Sequence, residues 1–127
     1  MPFDFTNKRV VVTGGSRGIG RAIALAFAAA GADVSICARS ADALAHTKGE
    51  ITAKGRRAHA VTCNVADGVA LRAYVEEAAA ELGGLDVLVN NAAGFGMGDD
   101  EAAWAAGLSV DIMGTVRATQ AALPMLE

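Results

Sequence analysis

Aromatic side chains make up only 5% of these 127 residues, with a single tryptophan and a single tyrosine, and cysteine occurs just twice. Two thiols do not make a disulfide scaffold. Cys37 and Cys63 can meet if they end adjacent strands, where a disulfide is one outcome. The expectation is two buried thiols in a reduced compartment. No spacing of Cys, His, Asp and Glu suggests a metal site, and His46 and His59 stand alone. No basic run is present and the net charge is −3, which argues against a nucleic-acid partner. The longest uncharged apolar stretch, Ala22 to Ala32, is far too short to cross a bilayer. The opening Met1-Pro2-Phe3-Asp4-Phe5 has neither the basic nor the apolar region of a secretory signal. A soluble cytoplasmic protein is expected, with no membrane partner. Without repeats, linkers or low-complexity segments, residues 1–127 read as one domain, long enough to bury a core.

Apolar residues nonetheless reach 53%, and alanine supplies much of that, as suits helices packed closely on a sheet. Short β-branched runs alternate with longer helical ones. Strands are expected at Arg9–Thr13, Asp33–Ala38, Arg57–Cys63 and Asp86–Asn90. Helices are expected near Arg17–Ala30, Ala41–Lys54 and Val69–Leu82, with a last one from about Asp100 to Leu126. Gly31, Gly55 and Gly83-Gly84 fall just past the first three, where left-handed caps are wanted, and Ser40 and Asp67 sit at N-cap positions. Strand–helix alternation of this length predicts an α/β fold. It is Rossmann-like: a doubly wound parallel sheet of about four strands with helices on both faces. The continuous runs Val10-Val11-Val12 and Val87-Leu88-Val89 fit parallel strands buried on both sides.

Thr13 to Gly20, reading TGGSRGIG, lies between the first strand and the first helix. A strand, a glycine turn and a helix N-terminus in that order form an anion site, because unsatisfied N–H groups and the helix dipole converge there. Gly14 can take the turn, Gly18 lets the backbone approach a pyrophosphate, and Gly20 lets the helix pack on the strand. The spacing is G-x-x-x-G-x-G rather than G-x-G-x-x-G, and a plain turn is the competing reading. The second strand ends Ala38-Arg39-Ser40, without the carboxylate that reads a ribose 2′-hydroxyl. Arg39 stands there and Arg17 lies in the loop. Two guanidinium groups near one ribose suit a 2′-phosphate, so NADP(H) is favoured over NAD(H). Solvated loop charges are the alternative.

With Asn90-Asn91-Ala92-Ala93-Gly94 added after the fourth strand, the chain resembles the short-chain dehydrogenase/reductase family. The resemblance rests on Thr13-Gly14-x-x-x-Gly18-x-Gly20, on Asn64-Val65, on this NNAG-like segment, and on Trp104 to Leu126. It implies cofactor contacts from Gly14, Ser16, Arg17, Gly18, Ile19 and Gly20 in the loop, and from Arg39 and Ser40 after the second strand. Asn64 and Val65 follow the third strand, and Asn91, Ala92 and Ala93 the fourth. Asn64 either meets the adenine amino group or closes a turn. Asn90 and Asn91 either tie loops together or reach the nicotinamide-side ribose. Asp111 falls where the family has a catalytic asparagine, with a surface aspartate as the alternative. The stripe Trp104, Leu108, Ile112 and Val116 corresponds to a helix that packs on a partner subunit, which implies a homo-oligomer.

The implied activity is NADP(H)-dependent interconversion of a carbonyl and a secondary alcohol, on a small-molecule substrate such as a 3-oxoacyl thioester. Ala92-Ala93-Gly94 with Asp111 also looks like the dienoyl-thioester reductase branch, and a catalytically silent nucleotide-binding or dimerising domain is the third reading. The resemblance corresponds to about the first half of a family member. The family's serine and its tyrosine with a lysine four residues on have no counterpart here. Tyr74 is followed at that spacing by Ala78 and belongs to a helix before the fourth strand. It is expected to be a packing residue, and these residues by themselves are expected to be inactive.

Overall fold

The computed structural model describes residues 4–15, 18–91 and 113–126. Strands β1 (Arg9–Thr13), β2 (Asp33–Ala38), β3 (Ala58–Thr62) and β4 (Val87–Asn90) form one sheet in the order β3-β2-β1-β4. All three pairings are parallel, with Val11 opposite Ser35 and Leu88, and Ser35 opposite His59. The expected doubly wound sheet is therefore present. β1 and β2 have the expected limits. β3 and β4 start one residue later than expected, because the polar groups before them are turned to other work. The Arg57 N–H donates to Asp33 Oδ1, and the Asp86 carboxylate closes on Arg9.

Helices α1 (Gly18–Ala29) and α2 (Ala41–Ala53) pack on one face with Val10, Val12, Val34 and Ile36. Helices α3 (Gly68–Leu82) and α4 (Thr115–Ala122) cover the other face, over Val11, Cys37 and Leu85. The two hydrophobic clusters lie on opposite sides of β1, so Val10, Val11 and Val12 are all fully buried. Each such side chain removed from water contributes about 1.5–3 kcal/mol.

The caps follow the sequence. Ser40 Oγ accepts from the Ala43 N–H at 3.3 Å, and Asp67 Oδ1 accepts from the Val69 and Ala70 N–H groups at 3.1 Å each. Gly83 closes α3 with φ 84°, a backbone conformation that disfavours any Cβ. At its C-terminal end α4 tightens into a 3₁₀ turn over Leu123–Met125 around Pro124, which has no N–H to continue the ladder. The expected start of this helix near Asp100 lies outside the described residues.

Candidate functional site

Every strand runs the same way, so the loops after β1, β2, β3 and β4 all emerge at one edge. Strand order reverses between β1 and β4, and the crevice at such a switch point is where doubly wound sheets hold ligands. The glycine loop after β1 is fixed from three sides. The Gly14 and Gly15 N–H groups both donate to the Cys37 carbonyl, at 2.8 and 3.2 Å. A Cβ on Gly15 would enter the Ile36 side chain, and one on Gly20 would overlap the Gly14 carbonyl and Asn91 Nδ2. A Cβ on Gly18 would meet nothing within 4 Å among the described residues, which leave the space beside it open. α1 begins there with no carboxylate in its first turn, and Ile19 is 74% exposed. The result is a helix N-terminus that, among the described residues, faces open space and has no carboxylate in its own first turn. Ser16 and Arg17 lie outside the described residues.

Gly15 is a constraint the glycine spacing did not flag. The only signal was the doubled glycine, and the clash comes from a side chain on another strand.

Asn91 is a brace. Its backbone N–H donates to Thr13 Oγ1 at 3.1 Å and its Nδ2 donates to the Gly14 carbonyl at 3.0 Å. Asn90 Nδ2 donates to Thr119 Oγ1 on α4 at 3.2 Å. Of the two readings open for this pair, loop-tying has the hydrogen bonds. Asn64 likewise closes a turn: Oδ1 accepts from the Ala66 N–H at 3.0 Å and its carbonyl accepts from the Asp67 N–H at 2.9 Å. Val65 turns its side chain into the core below that turn. Ser40 caps α2. Arg39 is exposed, and its guanidinium has no hydrogen bond or ion pair among the described residues. Ala92, Ala93 and Asp111 lie outside them, as do Trp104, Leu108 and Ile112. Val116 is 40% exposed on α4, next to exposed Met113 and Leu123.

Tyr74 stands apart from this edge. Its hydroxyl lies 2.7 Å from Ser35 Oγ, which is 2.8 Å from His59 Nδ1, and His59 Nε2 is 2.9 Å from Glu77 Oε2. A serine, a histidine and a carboxylate in line resemble a hydrolytic relay. Ser35 is, however, fully buried and shares its hydroxyl with Tyr74, so no substrate reaches it. Burial pushes the Tyr74 phenol well up. Cys37 and Cys63 are both buried and free. The neighbouring Cys63 thiol and burial together push the Cys37 thiol up. No group of three or more His, Cys, Asp or Glu is placed to hold a metal among the described residues. No helix of the described residues is long and apolar enough to cross a membrane.

A sequence model of the family described as short chain dehydrogenase matches residues 8–127. An uncharacterized oxidoreductase of Mycobacterium tuberculosis is 45% identical over 92 residues, covering 72% of this chain and 35% of that protein. The 3-oxoacyl-[acyl-carrier-protein] reductase of Staphylococcus epidermidis is 45% identical over 87 residues, covering 68% of this chain and 36% of that one. The crystal structure of a short chain dehydrogenase from Burkholderia cenocepacia in complex with NADP superposes with a TM-score of 0.91 at 43% identity. It covers 96% of this chain and 52% of the other. The match thus spans about a third of the curated relatives and about half of the solved one.

Proposed function

This chain belongs to the short-chain dehydrogenase family, and on that premise we propose that residues 1–127 are the NADP(H)-binding part of an oxidoreductase. The whole protein interconverts a carbonyl and a secondary alcohol, with 3-oxoacyl thioesters as the substrate class. The observation that carries the reading is the open, carboxylate-free N-terminus of α1 beside Gly18, reached by the same sheet edge that presents Arg39. A pyrophosphate fits such a place because backbone N–H groups and the helix dipole favour negative charge. Arg39, with no partner of its own among the described residues, is available to fork onto a 2′-phosphate. The NADP bound to the Burkholderia relative and the name of the staphylococcal relative support cofactor and substrate class respectively.

When bound, the nicotinamide supplies or accepts the hydride. The chain's own residues do the holding. Gly14, Ser16, Arg17, Gly18, Ile19 and Gly20 take the diphosphate, Arg39 and Ser40 the adenosine ribose, Asn64 and Val65 the adenine side. Asn91 keeps the glycine loop closed on β4, and Ala92 and Ala93 border the nicotinamide side. The proton is not supplied from Tyr74, whose hydroxyl is committed to Ser35 inside the core. Asp111, at the family's asparagine position, is the remaining polar candidate within these residues. The exposed Val116 of α4 and Leu123 just after it fit a subunit interface, as in a homo-oligomer. Two free thiols fit a reduced, cytoplasmic setting.

Titration by nicotinamide fluorescence tests the cofactor reading. NADPH is expected to bind more tightly than NADH by about 1–3 kcal/mol, the scale of charge-assisted hydrogen bonds to one phosphate. Equal affinities would remove Arg39 from the ribose site.

A further inference from the structure

Helix α4 touches the carboxyl edge of the sheet in a second place. Arg117 Nη1 donates to the Ala66 carbonyl at 3.0 Å. Ala66 sits in the Asn64–Asp67 turn after β3, next to the end of β2 that carries Arg39. The turn's other hydrogen bonds are internal or run straight into the flanking strand and helix. Asn64 binds Ala66 and Asp67, Cys63 binds Ala38 across the ladder, and Asp67 caps α3. Among the described residues, the Arg117 bond is the one that reaches this turn from a distant helix, 51 residues away in sequence. A second observation concerns Gly68, the first residue of α3. A Cβ there would stand 2.9 Å from Arg117 Nε and 3.0 Å from its Cδ. The arginine therefore crosses directly over Gly68, and a side chain at that position would have to displace it.

We propose that Arg117 is a positioning residue for the adenosine half of the cofactor, acting through the Ala66 carbonyl, with Gly68 as the clearance that admits it. The inference rests on the cofactor reading above. A guanidinium–carbonyl bond is charge-assisted and geometrically strict, so it fixes where the turn backbone stands. A turn held in place presents Asn64 to a planar base without an ordering cost at binding. The same helix holds Asn90 through Thr119, so α4 braces the loops on both sides of β1.

The test is done in the full-length protein with Arg117→Met, Arg117→Lys, Gly68→Ala and the Gly68→Ala/Arg117→Met double variant. Affinities are measured for NADPH, for adenosine 2′,5′-bisphosphate as the adenosine half, and for reduced nicotinamide mononucleotide as the other half. Arg117→Met and Gly68→Ala should each weaken NADPH and the bisphosphate by about tenfold, the scale of one lost charged hydrogen bond. The mononucleotide should be unaffected. Arg117→Lys should recover most of the loss, and the double variant should be no weaker than either single one. Gly68→Ala should also melt no lower than wild type, since alanine is the better helix former, which separates positioning from mere stability.

Wild-type affinity for the bisphosphate in both single variants, equal loss for the two half-ligands, or additive losses in the double variant would each overturn the proposal. Failure of the wild type to bind NADPH at all would instead sink the cofactor reading on which it rests.

Discussion

At Gly18 and Arg39 the chemistry of the site comes down to what a single side chain would add or remove. Gly18→Val places a branched group in the open space beside α1, where the diphosphate is proposed to lie, and at a φ of 60° that valine tolerates poorly. Binding of NADPH should be lost while far-ultraviolet circular dichroism keeps its helical signal. Unchanged affinity would make the glycine loop a plain turn. Gly20→Ala should instead damage the fold locally, because its methyl group would collide with the Gly14 carbonyl and the Asn91 amide. Arg39→Asp replaces an exposed guanidinium with a carboxylate at the tip of β2, the group that reads a ribose hydroxyl in dinucleotide folds. The NADPH preference should vanish or invert, a swing of about 1–3 kcal/mol in the ratio of affinities.

Among the elements, the strands were the most legible in the sequence, and the reason is physical. A parallel strand buried on both faces must be apolar throughout, as Val10 to Val12 are, while the equally apolar Val87 to Val89, at the end of the described sheet, are half-buried. Caps were equally readable, because Ser40 and Asp67 act within three residues of themselves. What the sequence did not disclose is partnership at long range. Period-two alternation puts Ser35 and His59 on one face, yet only the register between β2 and β3 makes them neighbours, and only α3 brings Tyr74 to them. Gly15 and Arg117 were invisible for the same reason.

One such long-range pair yields a pH prediction. The Asp86 carboxylate accepts from the Arg9 N–H at 2.8 Å, from Nε at 2.9 Å and from Nη2 at 3.2 Å, tying β4 to β1. The hydrogen bonds from the Arg9 side chain, first among the causes, hold Asp86 below the usual carboxylate range. A depressed carboxylate contributes stability that is present above its unfolded value, about 3.9, and is lost as pH falls through the folded one. Asp86→Asn should therefore cost about 1 kcal/mol near neutrality, discounted because both side chains are partly open to water. As pH falls through the lowered value of Asp86 and the aspartate itself takes up a proton, the two proteins should converge in melting temperature. A difference that persists undiminished at low pH would assign the loss to geometry rather than charge.

On the scale of the whole molecule, the proposed carbonyl reduction requires a source for its proton. Hydride transfer leaves an alkoxide, and a positioned acid typically supplies on the order of 10²–10⁴ in rate. The single tyrosine of these 127 residues is on α3, on the face of the sheet that packs α3 and α4, with its hydroxyl held by Ser35 and its ring stacked 6.1 Å from that of His59. It is nearly fully buried, and burial raises its phenol further from any useful acidity. In the full-length protein, Tyr74→Phe should leave kcat and KM for 3-oxoacyl esters at wild-type values, followed by NADPH absorbance at 340 nm. The cost should appear in stability instead. Ser35 keeps His59 as a partner, so the lost hydroxyl should lower unfolding free energy by about 0.5–1.5 kcal/mol in urea. A fall in kcat of a hundredfold or more with melting unchanged would place Tyr74 in the proton path and require the chain from buried Ser35 through His59 to exposed Glu77 to carry it. Wild-type turnover with a lowered midpoint leaves that chain as a core clasp joining β2, β3 and α3.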